Sequence, residues 1–160
     1  MSTSDRFVVR DIPRARLDRE CRRVLARLQD ALPEGAEALE VGSTAVEGVI
    51  GKGDIDVLVR VPGPAFDETR ARIDALFPRN PEQLSNEIYQ GYLVPSELDV
   101  AIQLTVKGGA YDDFVPFLEL LRASPELVGR YNALKRAHDG GPMDRYREEK
   151  AAFIRAALDS

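Results

Sequence analysis

Residues 54–61 read Asp-Ile-Asp-Val-Leu-Val-Arg-Val, the clearest strand pattern in the chain. A period of two puts Asp54 and Asp56 on one face and sends Ile55 and Val57 to the other. One face must therefore be covered by a hydrophobic layer, while the other carries two neighbouring carboxylates. Like charges held side by side on a rigid strand destabilise each other or shift a pKa unless a cation lies between them. Mg²⁺ suits that position, because it takes oxygen ligands from one or two carboxylates together with phosphate oxygens.

The rest of the composition narrows which cation and which compartment fit. The chain has one cysteine, Cys21, and one histidine, His138, which leaves oxygen donors and argues against zinc. A single cysteine forms no internal disulfide framework, and MSTSDRFVVRD lacks the pattern of a secretory leader. No apolar run approaches membrane-spanning length, so a cytoplasmic protein without membrane contact is expected. The net charge of -5 disfavours a long nucleic acid as partner but permits a local basic pocket. A length of 160 residues, 44% hydrophobic and 31% charged, fits one domain with its own core over residues 1–160.

Along the chain, Leu17, Cys21, Val24, Leu25, Leu28 and Leu32 form a helical stripe from Arg14 to Leu32. Pro33, Glu34 and Gly35 break it, and Ala36 to Gly42 alternates as a short strand. Phe66, Thr69, Ile73, Leu76 and Phe77 predict a second helix; Glu87–Val94 and Glu97–Val106 predict two more strands around a turn at Pro95 and Ser96. After Gly108 and Gly109 the pattern is helical throughout. Ser124-Pro125 reads as an N-cap with proline in the first turn, and a last helix is expected over 143–158. The order predicts a mixed α/β unit whose strands carry the acids.

Val41-Gly42-Ser43 leaves the first strand, with ten residues between Ser43 and Asp54. Glycine allows a ligand close to the backbone, exposed amides can hold a triphosphate, and the Ser43 and Thr44 hydroxyls can add hydrogen bonds. Lys52 lies two residues before Asp54, placed either for a phosphate or for pairing with an acid. Asp99 on the later strand is a candidate for a second metal position or for taking a proton from an acceptor hydroxyl. Tyr131 and Lys135, like Tyr146 and Lys150, share a helix face at i and i+4. Lys150 falls on a mostly apolar stripe, which suggests a phosphate partner or a snorkelling stem; Lys135 reads as a surface lysine of the snorkelling kind. His138 and Cys21 read as structural.

A strand ending in Gly-Ser, an Asp-hydrophobic-Asp strand about ten residues on, and a later strand aspartate resemble the nucleotidyltransferase superfamily. Val41–Val59 is similar to the GrpB-like family, with its GSTAVPG-type segment, lysine and Ile-Asp strand. Leu121–Arg136 and Tyr146–Ile154 resemble that family's closing helices. Glu47 stands where many relatives have proline, Asp54 where many have an apolar residue, and Leu98–Val106 lacks the histidines expected there. The resemblance implies an α/β (α+β) nucleotidyltransferase-like fold: a mixed sheet of about four to five strands, flanking helices and a helical C-terminal half. It also implies Mg²⁺-dependent transfer of a nucleoside monophosphate from an NTP. Asp54, Asp56 and Asp99 would hold metal or assist catalysis, and Gly42, Ser43, Thr44, Lys52 and Lys150 would contact the nucleotide. The acceptor stays open among a small molecule, a protein side chain and an RNA end. Two other readings remain: a nucleotide-binding or regulatory domain without turnover, and an accessory protein of coenzyme A metabolism.

Overall fold

The computed structural model describes residues 6–42, 45–112 and 114–159. The elements, in chain order, are α1 (Arg14–Gln29), β1 (Glu37–Val41), β2 (Ile55–Val61), α2 (Phe66–Asp74), β3 (Tyr89–Val94), β4 (Val100–Val106), α3 (Phe114–Ala123), α4 (Pro125–His138) and α5 (Met143–Asp159). A 3₁₀ turn, Gly63–Ala65, leads into α2.

The sheet has the order β1-β2-β4-β3. β1 runs antiparallel to β2, β2 parallel to β4, and β4 antiparallel to β3. The parallel step requires a crossover, which α2 and the return strand β3 provide. This is a mixed α+β architecture of four strands among the described residues, at the lower end of the expected number.

Alternation along the central strands decides which side each helix covers. Ile55, Val57, Val59 and Val61 of β2, with Val100, Ile102 and Leu104 of β4, face a core built with Leu17, Cys21, Val24 and Leu28 of α1 and Phe66 and Ile73 of α2. The opposite face offers only Leu39, Val41 and Leu58 to the helices α3, α4 and α5. Those helices therefore cover the β1–β2 half of that face. Ala101 and Gln103 of β4 and Leu93 of β3 remain on the wall of an open cleft.

Local signals account for the helix ends. The Ser124 hydroxyl accepts a hydrogen bond from the Leu127 amide at 3.1 Å, and Pro125 occupies the first turn of α4, as expected. Three strands begin later than the sequence pattern predicts. β2 starts at Ile55 rather than Asp54, β3 at Tyr89 rather than Glu87, and β4 at Val100 rather than Glu97. For β2 and β4 the reason is mutual: Ile55 pairs with Val100, and Val94, the end of β3, closes the same edge, whereas β3 begins at the far edge where Tyr89 pairs with Thr105. Asp54 and Asp99 lie just outside that edge.

Candidate functional site

The edge where β2 and β4 begin floors a cleft of about 700 Å³. Asp54, Asp56 and Asp99 all line it, with Gly42 and Lys52 beside them. The Ile55 amide donates to the Asp99 carbonyl at 2.8 Å, which fixes the backbones of Asp54 and Asp99 next to each other. Gly42 has φ +82°, and a Cβ there would stand 2.6 Å from Asp56 Oδ2. Only glycine lets the end of β1 pass this close to the acid without strain. Lys52 Nζ lies 3.7 Å from Asp54 Oδ2, so this lysine pairs with an acid, one of the two expectations for it, and it also lines the cleft.

The two acids of the strand are not equivalent. Burial, followed by the charge of Asp54, pushes the Asp56 carboxyl up to about 7, against the pull of Lys150, Lys52 and Lys135. Its ionised form lacks enough compensating positive charge, and a hard divalent cation is the kind of partner that restores it. Two carboxylate donors on a rigid edge therefore fit Mg²⁺. Among the described residues, no three His, Cys, Asp or Glu side chains gather into a ready-made metal group. Asp99, which is exposed, does not close with Asp54 and Asp56 into such a triad.

The helical wall supplies the opposite charge. Lys150 of α5 lines the cleft half-buried and lies near enough to Asp56 to lower its pKa. Lys135 of α4 departs from expectation: it is 2% exposed, a buried lysine rather than a surface one. Its Nζ lies 4.5 Å from the Tyr131 ring centre, 5.7 Å from that of Tyr146 and 5.9 Å from that of Phe7. These aromatic faces supply part of the attraction that water would otherwise give. Burial and the nearby Lys150 charge nonetheless bring the Lys135 ammonium down to about 7, with Asp54 and Asp56 pulling the other way.

Phe7 reaches this cage from the opposite end of the chain. Its ring stacks on Tyr146 at 3.7 Å between centres, its amide donates to the Gly141 carbonyl, and its carbonyl accepts from the Gly140 amide. A little further on, the Arg10 amide donates to the Gly51 carbonyl. This N-terminal strap ties the α4–α5 connection to the loop that presents Asp54. A second tie comes from Asn132 of α4, whose amide donates to the Gly48 carbonyl at 2.8 Å and accepts from the Ile50 amide at 2.9 Å. Gly48 and Ile50, on the approach to Asp54, are thus fixed to the helix that carries Lys135.

Of the residues expected from sequence, the cleft brings together Gly42, Lys52, Asp54, Asp56, Asp99 and Lys150. Ser43 and Thr44 lie outside the described residues. Sequence reasoning missed Lys135, Asn132 and Gln103; the i, i+4 pair Tyr131–Lys135 was the available signal for the first. Cys21 is buried on α1, where burial raises its thiol to about 12, in keeping with a structural role. His138 is half-buried with its ring 6.1 Å from that of Tyr146. No helix among the described residues is long and apolar enough to cross a membrane.

The family and the fold both have known counterparts. A UPF0157 protein of Vibrio cholerae is 33% identical over 129 residues, covering 80% of this chain and 69% of the relative. The crystal structure of the conserved protein GrpB from Enterococcus faecalis superimposes with a TM-score of 0.69 at 19% identity, over 95% of this chain and 98% of that one. The Cid1 poly(U) polymerase, solved with Mg and 3′-dATP bound, gives a TM-score of 0.50 at 14% identity over 80% of this chain and 41% of its own. The last likeness is one of fold, that of the nucleotidyltransferases. The GrpB protein family model matches residues 13–160, and the chain belongs to the GrpB family.

Proposed function

We propose that the protein is a nucleotidyltransferase that moves a nucleoside monophosphate from an NTP to a hydroxyl acceptor, with Mg²⁺ held by Asp54 and Asp56. The observation that carries this reading is the gathering of that acid pair, Lys52 beside it and Lys150 in one cleft, with Lys135 buried behind. Acids and lysines at that spacing suit a substrate that is a polyanion and brings a metal with it. The fold likeness to Cid1, a polymerase seen with Mg and 3′-dATP, supports the same reading.

In this scheme Gly42 leaves room for the triphosphate beside Asp56, with Ser43 and Thr44 as candidate hydroxyl contacts. Lys150 and Lys52 orient and neutralise its phosphates, and Lys135, buried behind the cleft, adds its field without touching them. Bound Mg²⁺ would supply charge neutralisation along the triphosphate. The acceptor oxygen attacks the α-phosphorus in line, the bond to the bridging oxygen of the β-phosphate breaks, and pyrophosphate leaves. Asp99, exposed at the edge of the acid floor, takes the proton of the attacking hydroxyl. A cytoplasmic, one-domain enzyme fits this role, with a triphosphate from the nucleotide pool as donor.

A second reading is favoured by the exposed side chain of Asp99, which does not close with Asp54 and Asp56 into a three-acid group. A domain with that arrangement would bind Mg·NTP and not turn it over.

A thermal-shift screen against the four NTPs, each with and without Mg²⁺, tests the binding part. Stabilisation that needs both, and disappears in Asp54→Ala/Asp56→Ala, is the expected outcome. No shift with any nucleotide overturns the assignment, whereas a shift without pyrophosphate release selects the non-catalytic reading.

A further inference from the structure

The two walls of the cleft differ in chemistry. Arg147 and Lys150 line the helical wall. On the other side of the acids, β3, β4 and the segment 78–86 present Asn80, Glu82, Gln83, Leu93, Ala101 and Gln103, with no lysine or arginine among the lining residues. A triphosphate belongs on the first wall, and a polyanion gains nothing from the second.

The register places these groups relative to the reacting centre. Ala101 stands beside Asp56, and Leu93, 45% exposed, stands beside Ala101. Two residues along β4, Gln103 stands beside Gly91, a position without a side chain. The Gln83 carboxamide lies directly over Gly91, where any Cβ would collide with it. The result is a small apolar shelf next to the acids that ends in two carboxamides.

One atom on that shelf is unaccounted for. Gln103 Oε1 is buried and has no hydrogen-bond partner among the described residues. Buried side-chain oxygens in native proteins are nearly always satisfied, and leaving one unmade costs stability. An orphan on a cleft wall is the pattern of a group reserved for a ligand.

Resting on the transfer reaction proposed above for its role, we infer that the β3–β4 wall is the acceptor subsite, built for a neutral or cationic small molecule with an N–H or O–H that donates to Gln103 Oε1. The apolar stretch of that molecule lies on Ala101 and Leu93, and its reacting hydroxyl points to Asp56 and Asp99. Two residues of strand separate the row of Asp56 from the row of Gln103, so the donor group and the hydroxyl are about 7 Å apart.

The test uses three probes of that span and the side-chain amide resonances of Gln103, assigned by their loss in Gln103→Met. N-(4-hydroxybutyl)acetamide is expected to shift them. Its N-methyl analogue, lacking the donor, should bind several-fold more weakly, and 6-hydroxyhexanoate, a carboxylate, should not bind. Without any probe, Gln103→Met should raise Tm by about 2–4 °C, because an unmade hydrogen bond is removed. Equal binding of the N-methyl analogue, preference for the carboxylate or for a short RNA, no binding of any probe, or a lowered Tm would each overturn the inference. Mg·NTP binding is measured separately on the wild type. Probe binding without NTP binding rejects the transfer reading alone, and the reverse rejects the subsite alone.

Discussion

The backbone of Gly42 occupies the space in which a side chain would press on Asp56: a Cβ there would lie 2.6 Å from Asp56 Oδ2, and φ is +82°. The end of β1 and the acid of β2 are paired residues, Val41 with Asp56, so neither can move without the other. Gly42→Ala therefore faces both a strained backbone and a displaced carboxylate. It should cost about 1–3 kcal/mol in denaturant unfolding. Calorimetric titration should show Mg·NTP affinity falling at least about tenfold, a 1.4 kcal/mol effect.

Asp56 and Lys135 give stability a defined pH profile. The folded Asp56 carboxyl, raised from 3.8 to about 7, holds its proton more tightly than in the unfolded chain. The folded state then binds more protons across that window, and stability falls as pH rises through it. Lys135, lowered from 10.5 to about 7, releases its proton earlier than in the unfolded chain, so stability rises with pH between those values. These two groups together predict a minimum near neutral pH in ligand-free protein. Thermal melts across the range check it, and Asp56→Asn should flatten the acidic limb.

Lys135→Met offers a contrast between stability and binding. The substitution removes an ammonium that burial disfavours and leaves an apolar chain among Phe7, Tyr131 and Tyr146. The expected gain is on the order of 1 kcal/mol near pH 6, shrinking as pH rises above the Lys135 titration. Affinity for Mg·NTP should drop in the same variant. A loss of stability together with unchanged affinity would assign Lys135 to packing alone.

Arg60 provides a control away from the acids. Its guanidinium donates to both carboxylate oxygens of Asp112 at 2.6 and 2.7 Å and to Glu37 at 2.8 Å. The Asp112 side chain is 1% exposed, so Arg60→Ala leaves a buried carboxylate without its cation. A cost of about 3–5 kcal/mol is expected in chemical denaturation. Asp112→Asn should cost less, since it removes the charge along with the need for its partner.

The site was legible where chemistry follows from neighbours in sequence. Alternation over 54–57 predicted a shared side for Asp54 and Asp56, and both line the cleft although Asp54 lies just before β2, while the glycine at the end of β1 marked a close approach, here to Asp56. The stripes on α1 and α4 and the Ser124 cap needed no tertiary information. Lys135 was different, because its helical spacing is equally compatible with a snorkelling surface lysine. What buries it is Phe7, which arrives from the other end of the chain. Strand starts were misplaced by two or three residues at β3 and β4, since pairing across the sheet, not propensity, decides where a ladder begins. Gln103 was invisible for the same reason: its orphaned oxygen exists only once β3 and the segment 78–86 have packed beside β4.

The most direct test of the account is calorimetric titration of Mg·NTP into the wild type and into Asp54→Ala/Asp56→Ala, repeated near pH 6 and near pH 8 in buffers of different ionisation enthalpy. On the proposed reading, Asp56 would give up its proton to hold the metal, and Lys135, buried behind the cleft, would hold its proton more tightly once a triphosphate lies in front of it. Saturable binding lost in the double variant is predicted, with net proton release near pH 6 and net uptake near pH 8. Binding of equal strength in the double variant, or none in the wild type, would contradict the assignment of the acid pair to a metal–triphosphate site.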